Sequence, residues 1–143
     1  MKTPQTPSPK LRDALGLTNE VWIKREDRHH YGSHKGRSIP LMVNTHFKSG
    51  STSFVISSSG NAALAAIYAT QAHNNNKPAT PITLHIFIGE HIEPEKKLEL
   101  TEYAKNDKHI RIEQVAAPKQ AAILFEKEKG AKLLRQSTDD VAL

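Results

Sequence analysis

Two periodicities alternate along the chain, and together they predict the order of its secondary structure. Short runs rich in β-branched and aromatic residues indicate strands, whereas longer segments with helix-forming residues indicate helices. Strands are predicted at 21–25, 53–57, 82–88, 110–115 and 131–136, and helices at 34–47, 61–73, 94–106 and 118–130. Strands and helices therefore alternate along most of the chain.

This alternation indicates an α/β fold, because a strand, a helix and a second strand joined by short connections place both strands parallel in one sheet. We expect a three-layer domain, with a parallel β-sheet of about four to five strands and helices on both of its faces. Residues 1–20 should form an extended lead-in and a first short helix, and residues 21–136 the α/β domain. Residues 137–143 predict the start of a further helix, capped by Ser137 or Thr138, as in the front part of a longer enzyme.

The composition excludes several classes of protein. The 143 residues include no cysteine, which excludes disulfides and thiolate catalysis, and 37% apolar residues suit one globular domain. The sequence contains no run of about 18 apolar residues, so it predicts no membrane-spanning helix. The N-terminus lacks the apolar core of a signal peptide, and we therefore expect a cytoplasmic protein with no membrane partner.

The net charge of +5 is compatible with nucleic-acid binding, but the arrangement of the charges does not favour it. Basic residues stand beside acidic ones, as in EPEKKLE and FEKEKG, which is typical of solvated helix faces. A basic balance equally suits a protein that binds small anionic ligands. Three classes therefore stay open: an enzyme, a non-catalytic module for a small ligand and, with least support, a nucleic-acid-binding domain.

The segment GSHKGRS places Lys35 at the beginning of a predicted helix. Gly32 permits a tight turn, and Ser33 is a candidate cap for the helix that follows. The positive end of the helix dipole repels an ammonium and so favours the neutral amine, a nucleophile that can form a Schiff base with an aldehyde. The alternative is an ordinary lysine exposed to solvent.

The segment SSSGN opens the next predicted helix, directly after a strand. Backbone N–H groups and hydroxyls of Ser58, Ser59 and Gly60 can bind a carboxylate or phosphate, and Asn61 can donate a hydrogen bond to a phenolate oxygen. The alternative is a plain helix cap formed by Ser59 or Asn61. Because ligands of α/β folds bind beyond the carboxyl ends of the strands, both segments fall where a site is expected.

At these residues the chain resembles a known family, the pyridoxal-phosphate enzymes of the tryptophan-synthase-β type (fold type II). The resemblance rests on WIKRED, GSHKGRS and SSSGNAALAAIYA, in that order, and covers most of residues 3–73. This family includes threonine synthases, cysteine synthases and serine/threonine dehydratases. The resemblance implies pyridoxal 5'-phosphate as cofactor, a small amino acid as substrate, and a lyase-type reaction, either β/γ-elimination or replacement.

Individual residues match the family's functional positions. Lys35 matches the lysine that carries the cofactor covalently and then acts as base at the substrate's α-carbon. Asn61 matches the asparagine that hydrogen-bonds the cofactor's ring hydroxyl, and Ser33 a serine near its phosphate. The loop that holds the substrate carboxylate corresponds to Ser58, Ser59, Gly60 and Asn61.

The chain also departs from the family pattern. His34 and Gly36 stand where the family has an aromatic residue and an aspartate, and Gly36 should weaken the start of the helix. The family's glycine-rich phosphate loop lies in a later part of its fold, and no such run occurs here. The resemblance therefore implies a second contributor, either the missing C-terminal half of the fold or a homodimer partner, and little activity from this chain alone.

Other candidate residues are assigned structural roles. His29, His30 and His34 lie close together in sequence, but no carboxylate accompanies them at ligand spacing, and we expect no metal site. Trp22 and Tyr68 are predicted to be core aromatic residues rather than a stacking platform.

Overall fold

The computed structural model describes residues 2–76 and 78–141. Its N-terminal part is a small antiparallel pair, in which β1 (Gln5–Pro7) lies beside β2 (Trp22–Lys24), with the short helix α1 (Pro9–Ala14) between them. The predicted strand at 21–25 therefore exists, but it stands outside the main sheet. Trp22 is 50% exposed, so its assignment to the core was wrong.

Four parallel strands form the main sheet of the described chain. They are β3 (Ser53–Ser57), β4 (Thr83–Gly89), β5 (Ile110–Val115) and β6 (Lys132–Leu133). Their order across the sheet is β5-β4-β3-β6, so the chain builds outward from β3 and then returns to add β6 on its other side.

Helices cover both faces of this sheet. They are α2 (Lys35–Lys48), α3 (Asn61–Asn75), α4 (Pro94–Ala104) and α5 (Pro118–Lys129). Successive strand residues point to opposite faces, so Phe54 and Ile56 join the core beneath α2, α3 and α4, while Val55 and Phe87 pack with Ala122 of α5. The predicted three-layer α/β fold with a parallel sheet is confirmed.

Local sequence explains where the helices begin and end. Pro94 and Pro118 occupy the first turns of α4 and α5, where a missing N–H costs no helical hydrogen bond. Gly130 ends α5 in the left-handed conformation, with φ of 67°. Pro40 lies inside α2, which continues through it to Lys48. No described helix is long and apolar enough to cross a membrane.

The predicted helix at 137–143 is wrong for the part that the structure describes. Residues 136–141 form turns that lie along α2, and residues 142 and 143 are outside the described residues. Asp139 explains the difference, because its carboxylate accepts hydrogen bonds from the Val141 N–H at 3.0 Å and from His46 Nε2 at 2.7 Å. Burial would raise the pKa of Asp139, but these two contacts outweigh it and leave that pKa below its usual value.

Candidate active site

Lys35 is the first residue of α2 and is half-buried. Its ammonium donates a hydrogen bond to the side-chain oxygen of Gln136, and the amide nitrogen of Gln136 donates one to Ser38 Oγ. Gln136 stands just beyond β6, so a residue from the end of the described chain meets the lysine.

The position of β6 brings Lys35 to the same end of the sheet as the SSSGN loop, namely the end formed by the carboxyl ends of the strands. β3 and β6 are parallel neighbours, with Val55 opposite Leu133, and the Leu134 N–H donates to the Val55 carbonyl at 2.8 Å. Both strands therefore end at the carboxyl end of the sheet. β6 leads there to Gln136, and β3 leads to the SSSGN loop. This is also where the strand order reverses, the usual ligand position of α/β sheets.

Two hydrogen bonds hold the Ser58–Asn61 loop, one to β4 and one within the loop. The Ser58 N–H donates to the Phe87 carbonyl at 3.3 Å, and the Gly60 N–H donates to Ser58 Oγ at 3.3 Å. Gly60 occupies the cap position of α3, where no side chain makes a capping hydrogen bond. The expected cap by Ser59 or Asn61 is therefore wrong, and both of these exposed side chains are left for other contacts.

Ser33 also differs from its expected role as a cap. His34 is the cap residue of α2, no side chain makes a capping hydrogen bond there, and Ser33 is only 5% exposed. Its Oγ has no hydrogen-bond partner within the described residues. A buried hydroxyl without a partner is costly, and an anionic oxygen would satisfy it. Ser33 thus fits a phosphate-bearing cofactor.

A cavity of about 310 Å³ opens at the carboxyl end of the sheet, on the face that α5 covers. Ser57 and Leu134 line it, and Lys119 and Arg135 contribute positive charge. None of the residues predicted to bind cofactor or substrate lines this cavity, and no hydrogen bond links Lys35 to residues 58–61 in the described chain. The structure thus brings Lys35 and residues 58–61 to the same end of the sheet, without a hydrogen bond between them in the described chain.

An ion-pair network fixes the first turn of α2 to the residues that flank the N-terminal strand pair. The guanidinium of Arg37 donates to the Glu26 carboxylate at 2.8 and 3.0 Å, and to Thr3 Oγ1 at 3.1 Å. Hydrogen bonds from Arg37 and then Thr3 lower the pKa of Glu26 to about 2. Because Arg37 follows Lys35 by two residues, this network also restrains the lysine.

Two of the three histidines near Lys35 pack against each other. His29 and His30 have ring centroids 4.6 Å apart, and burial lowers the pKa of His29 below its usual value. No group of three or more histidine, aspartate or glutamate side chains in the described ranges could hold a metal. Tyr68 is half-buried and stacks on Tyr31 at 5.1 Å.

Gln136 is the site residue that sequence reasoning missed. A signal was available, because Gln136 ends the predicted strand 131–136 and the carboxyl ends of parallel strands are where sites form. The fold and these contacts define an α/β protein with a candidate ligand site where its strand order reverses.

Comparison with known proteins gives the family. Residues 1–142 match the family model described as pyridoxal-phosphate dependent enzyme. The chain belongs to this family, and the resemblance found in the sequence is confirmed. No curated protein matches the chain at a significant level.

Solved structures share the fold. Maize serine racemase is 22% identical with a TM-score of 0.70, over 94% of this chain and 38% of its own. Threonine deaminase isoform 2 from Solanum lycopersicum is 19% identical with a TM-score of 0.72, over 99% and 36%. Escherichia coli diaminopropionate ammonia lyase is 10% identical with a TM-score of 0.75, over 95% and 40%. The chain therefore spans about two fifths of the length of these structures.

Proposed function

We propose that this chain supplies the lysine-bearing part of the active site of a pyridoxal-phosphate-dependent lyase that performs β/γ-elimination or replacement on a small amino acid. The observation that carries the proposal is the position of Lys35. Its amine contacts Gln136 at the carboxyl end of the sheet, where the Ser58–Asn61 loop also begins. Neither alternative class, the non-catalytic module or the nucleic-acid-binding domain, gains support from the comparisons.

In this proposal Lys35 binds the cofactor covalently through its amine. Ser33 would donate its free hydroxyl hydrogen to a phosphate oxygen, and Asn61 would donate from its amide to the ring hydroxyl oxygen. The first N–H groups of α3 carry no side-chain cap, which leaves them available to an anion. Among these residues, the described part of the chain shows a side-chain hydrogen bond only for Lys35, and the cofactor would displace its partner Gln136.

The substrate roles follow from the same positions. Pyridoxal phosphate, when bound, withdraws electrons from the substrate's α-carbon and makes the proton there acidic. Once the substrate's amino group has replaced Lys35 on the cofactor, the freed amine of Lys35 would take this proton and return it later. Ser58, Ser59, Gly60 and Asn61 would hold the substrate carboxylate with hydroxyl, amide and backbone N–H donors. Two of the similar structures are named as a threonine deaminase and an ammonia lyase, which supports an elimination.

We further propose that the remaining cofactor contacts come from a C-terminal half of the fold or from a homodimer partner. The support is the length comparison, since the similar structures are more than twice as long as this chain. Exposed apolar side chains on the N-terminal strand pair, Trp22 and Ile23, offer a surface for that contact. The chain alone would then bind cofactor weakly and turn over little substrate.

The experiment that tests the proposal is covalent trapping of the cofactor. Pyridoxal phosphate is mixed with the protein, the adduct is reduced with borohydride, and the modified lysine is located by mass spectrometry. Lys35 should carry most of the label at cofactor concentrations that leave Lys97 and Lys105, both exposed, largely unmodified. Lys35→Ala should abolish the specific label.

Two comparisons make the result decisive. Ser33→Ala should weaken trapping at Lys35 when the phosphorylated aldehyde is used and have little effect with pyridoxal, which lacks the phosphate. Label spread evenly over the exposed lysines, or equal labelling of Lys35→Ala, would refute the assignment.

A further inference from the structure

The side chain of Gln136 joins two residues of α2 from the far end of the described chain. Its oxygen accepts a hydrogen bond from the ammonium of Lys35, and its amide nitrogen donates to Ser38 Oγ. The orientation of the amide is chemically determined, because an ammonium has only donors and must face the oxygen. The NH₂ group is then left for the serine hydroxyl.

Two further contacts hold Gln136 in place. On one side, the Leu134 N–H bonds to the Val55 carbonyl at 2.8 Å and fixes the chain to β3. On the other side, the Asp139 carboxylate, in a residue only 7% exposed, accepts from His46 at 2.7 Å and fixes the chain to α2. The amide of Gln136 is therefore presented to Lys35 by ordered backbone.

The hydrogen bond has a consequence for the chemistry of the amine. An ionised donor makes a stronger hydrogen bond than a neutral one. The Lys35 nitrogen must break its bond to the amide oxygen before it can attack an aldehyde carbon. Removal of this acceptor should therefore increase the rate at which the amine reacts.

We propose that Gln136 is a positioning residue that holds the Lys35 amine in a hydrogen bond beyond the end of β6 until a ligand displaces the amide. Where the ligand is the cofactor, the inference rests on the proposed function. The effect on the lysine itself does not, and it can be measured without any cofactor.

The experiment measures the reactivity of each lysine with acetic anhydride at a fixed pH, by mass spectrometry of partially acetylated protein. Gln136→Leu keeps the size of the side chain but removes the acceptor, and Lys35 should react about three- to tenfold faster. Gln136→Glu restores an acceptor and adds a charge, so Lys35 should react more slowly than in the wild type. Ser38→Ala removes only the anchor of the amide and should give a smaller acceleration.

The chain offers a matched control in a second lysine–glutamine pair. Lys97 Nζ donates to the side-chain oxygen of Gln114 at 2.7 Å, on an exposed surface. Gln114→Leu should leave the rate at Lys35 unchanged, and it should change the rate at Lys97 less than twofold because water replaces the lost acceptor there.

The outcomes separate this inference from simpler explanations. Equal acceleration in Gln136→Leu and Gln136→Glu would indicate general loosening of the segment and would overturn the proposal, as would an unchanged rate in Gln136→Leu. If Gln136→Leu does not fold, the ordering of Ser38→Ala, wild type and Gln136→Glu decides instead. A correct ordering combined with failure of cofactor trapping would reject only the proposed function.

Discussion

The imidazole of His29 lies directly against the α-carbon of Gly36, in the first turn of α2. A methyl group at Gly36 would stand 2.5 Å from both Cε1 and Nδ1 of that ring, and 2.8 Å from the Cβ of Tyr31. Nδ1 of His29 also accepts the Tyr31 N–H at 3.2 Å, which fixes the ring orientation. Because Gly36 has no side chain, the segment before Lys35 can pack closely against α2.

We predict that Gly36→Ala destabilises the protein even though alanine is the better helix former. Overpacking in a rigid contact costs about 1–3 kcal/mol, and the gain in helix propensity offsets at most about 1 kcal/mol. Urea unfolding should show the loss. In a His29→Ala background the same change should cost less, with a coupling of about 1 kcal/mol between the two sites.

Gly89→Ala is the control for this prediction, because the nearest atom to its added methyl group, Pro118 Cγ, lies at 4.0 Å. Its effect should be independent of His29. Equal costs of Gly36→Ala with and without the histidine ring would contradict the packing argument.

Asn74 provides a second prediction, since its side chain closes the connection between α3 and β4. Its Oδ1 accepts the Ile82 N–H at 2.9 Å, and its Nδ2 donates to the Ile82 carbonyl at 3.0 Å and to Asp107 Oδ2 at 2.8 Å. Ile82 is fully buried, so Asn74→Ala would leave its backbone groups without partners. We expect a loss of about 1–3 kcal/mol in the free energy of unfolding.

The neighbouring Asn75→Ala tests whether the effect is specific. Asn75 is exposed in the same last turn of α3, and its replacement should change stability by less than about 0.5 kcal/mol. Similar losses at the two positions would contradict the argument, because Asn75 makes no hydrogen bond to Ile82 among the described residues.

The third prediction concerns acid stability and Glu26. Its pKa falls from 4.5 to about 2, because Arg37 and then Thr3 donate hydrogen bonds to the carboxylate. A carboxyl whose pKa is lowered by folding stabilises the protein above its unfolded pKa, and that contribution is lost as the pH falls toward the folded value. The melting temperature of Glu26→Gln should therefore lie below that of the wild type above about pH 5.

Below this range the two melting curves should converge, and the gap should close between pH 4.5 and about 2. Thr3→Val removes one of the donors and should give a smaller gap over the same pH window. A difference that stays constant down to pH 2 would mean that the Glu26 charge does not stabilise the fold.

The sequence was sufficient for most of the architecture, because the apolar periods reflect burial directly. The α/β class, the parallel sheet and helices on both faces are confirmed. The errors concern two segments that lie outside the main sheet. Trp22 is exposed on the N-terminal strand pair, and the turn at Asp139 replaces a helix because its carboxylate binds His46 and the Val141 N–H.

The candidate site was predictable in part. The motifs indicate Lys35 and the Ser58–Asn61 loop as site residues, which stays a prediction, whereas the family match confirms the cofactor class. The environments of Ser33 and Gly36 depend on tertiary packing, which local sequence does not encode. The Ser33 hydroxyl is buried without a partner among the described residues. Gly36 has no side chain, which leaves room for the ring of His29. Gln136 meets Lys35 across 101 positions, a separation that only the sheet order explains.

The late return of β6 to the side of β3 also has a consequence for the order of folding. Contacts between distant parts of a chain carry the largest entropy of closure and tend to form after local ones. α2, β3, α3 and β4 are consecutive and can assemble early, whereas the two-residue β6 must find its place across the finished sheet. Lys35 would therefore gain its contact with Gln136 only in the final stage of assembly.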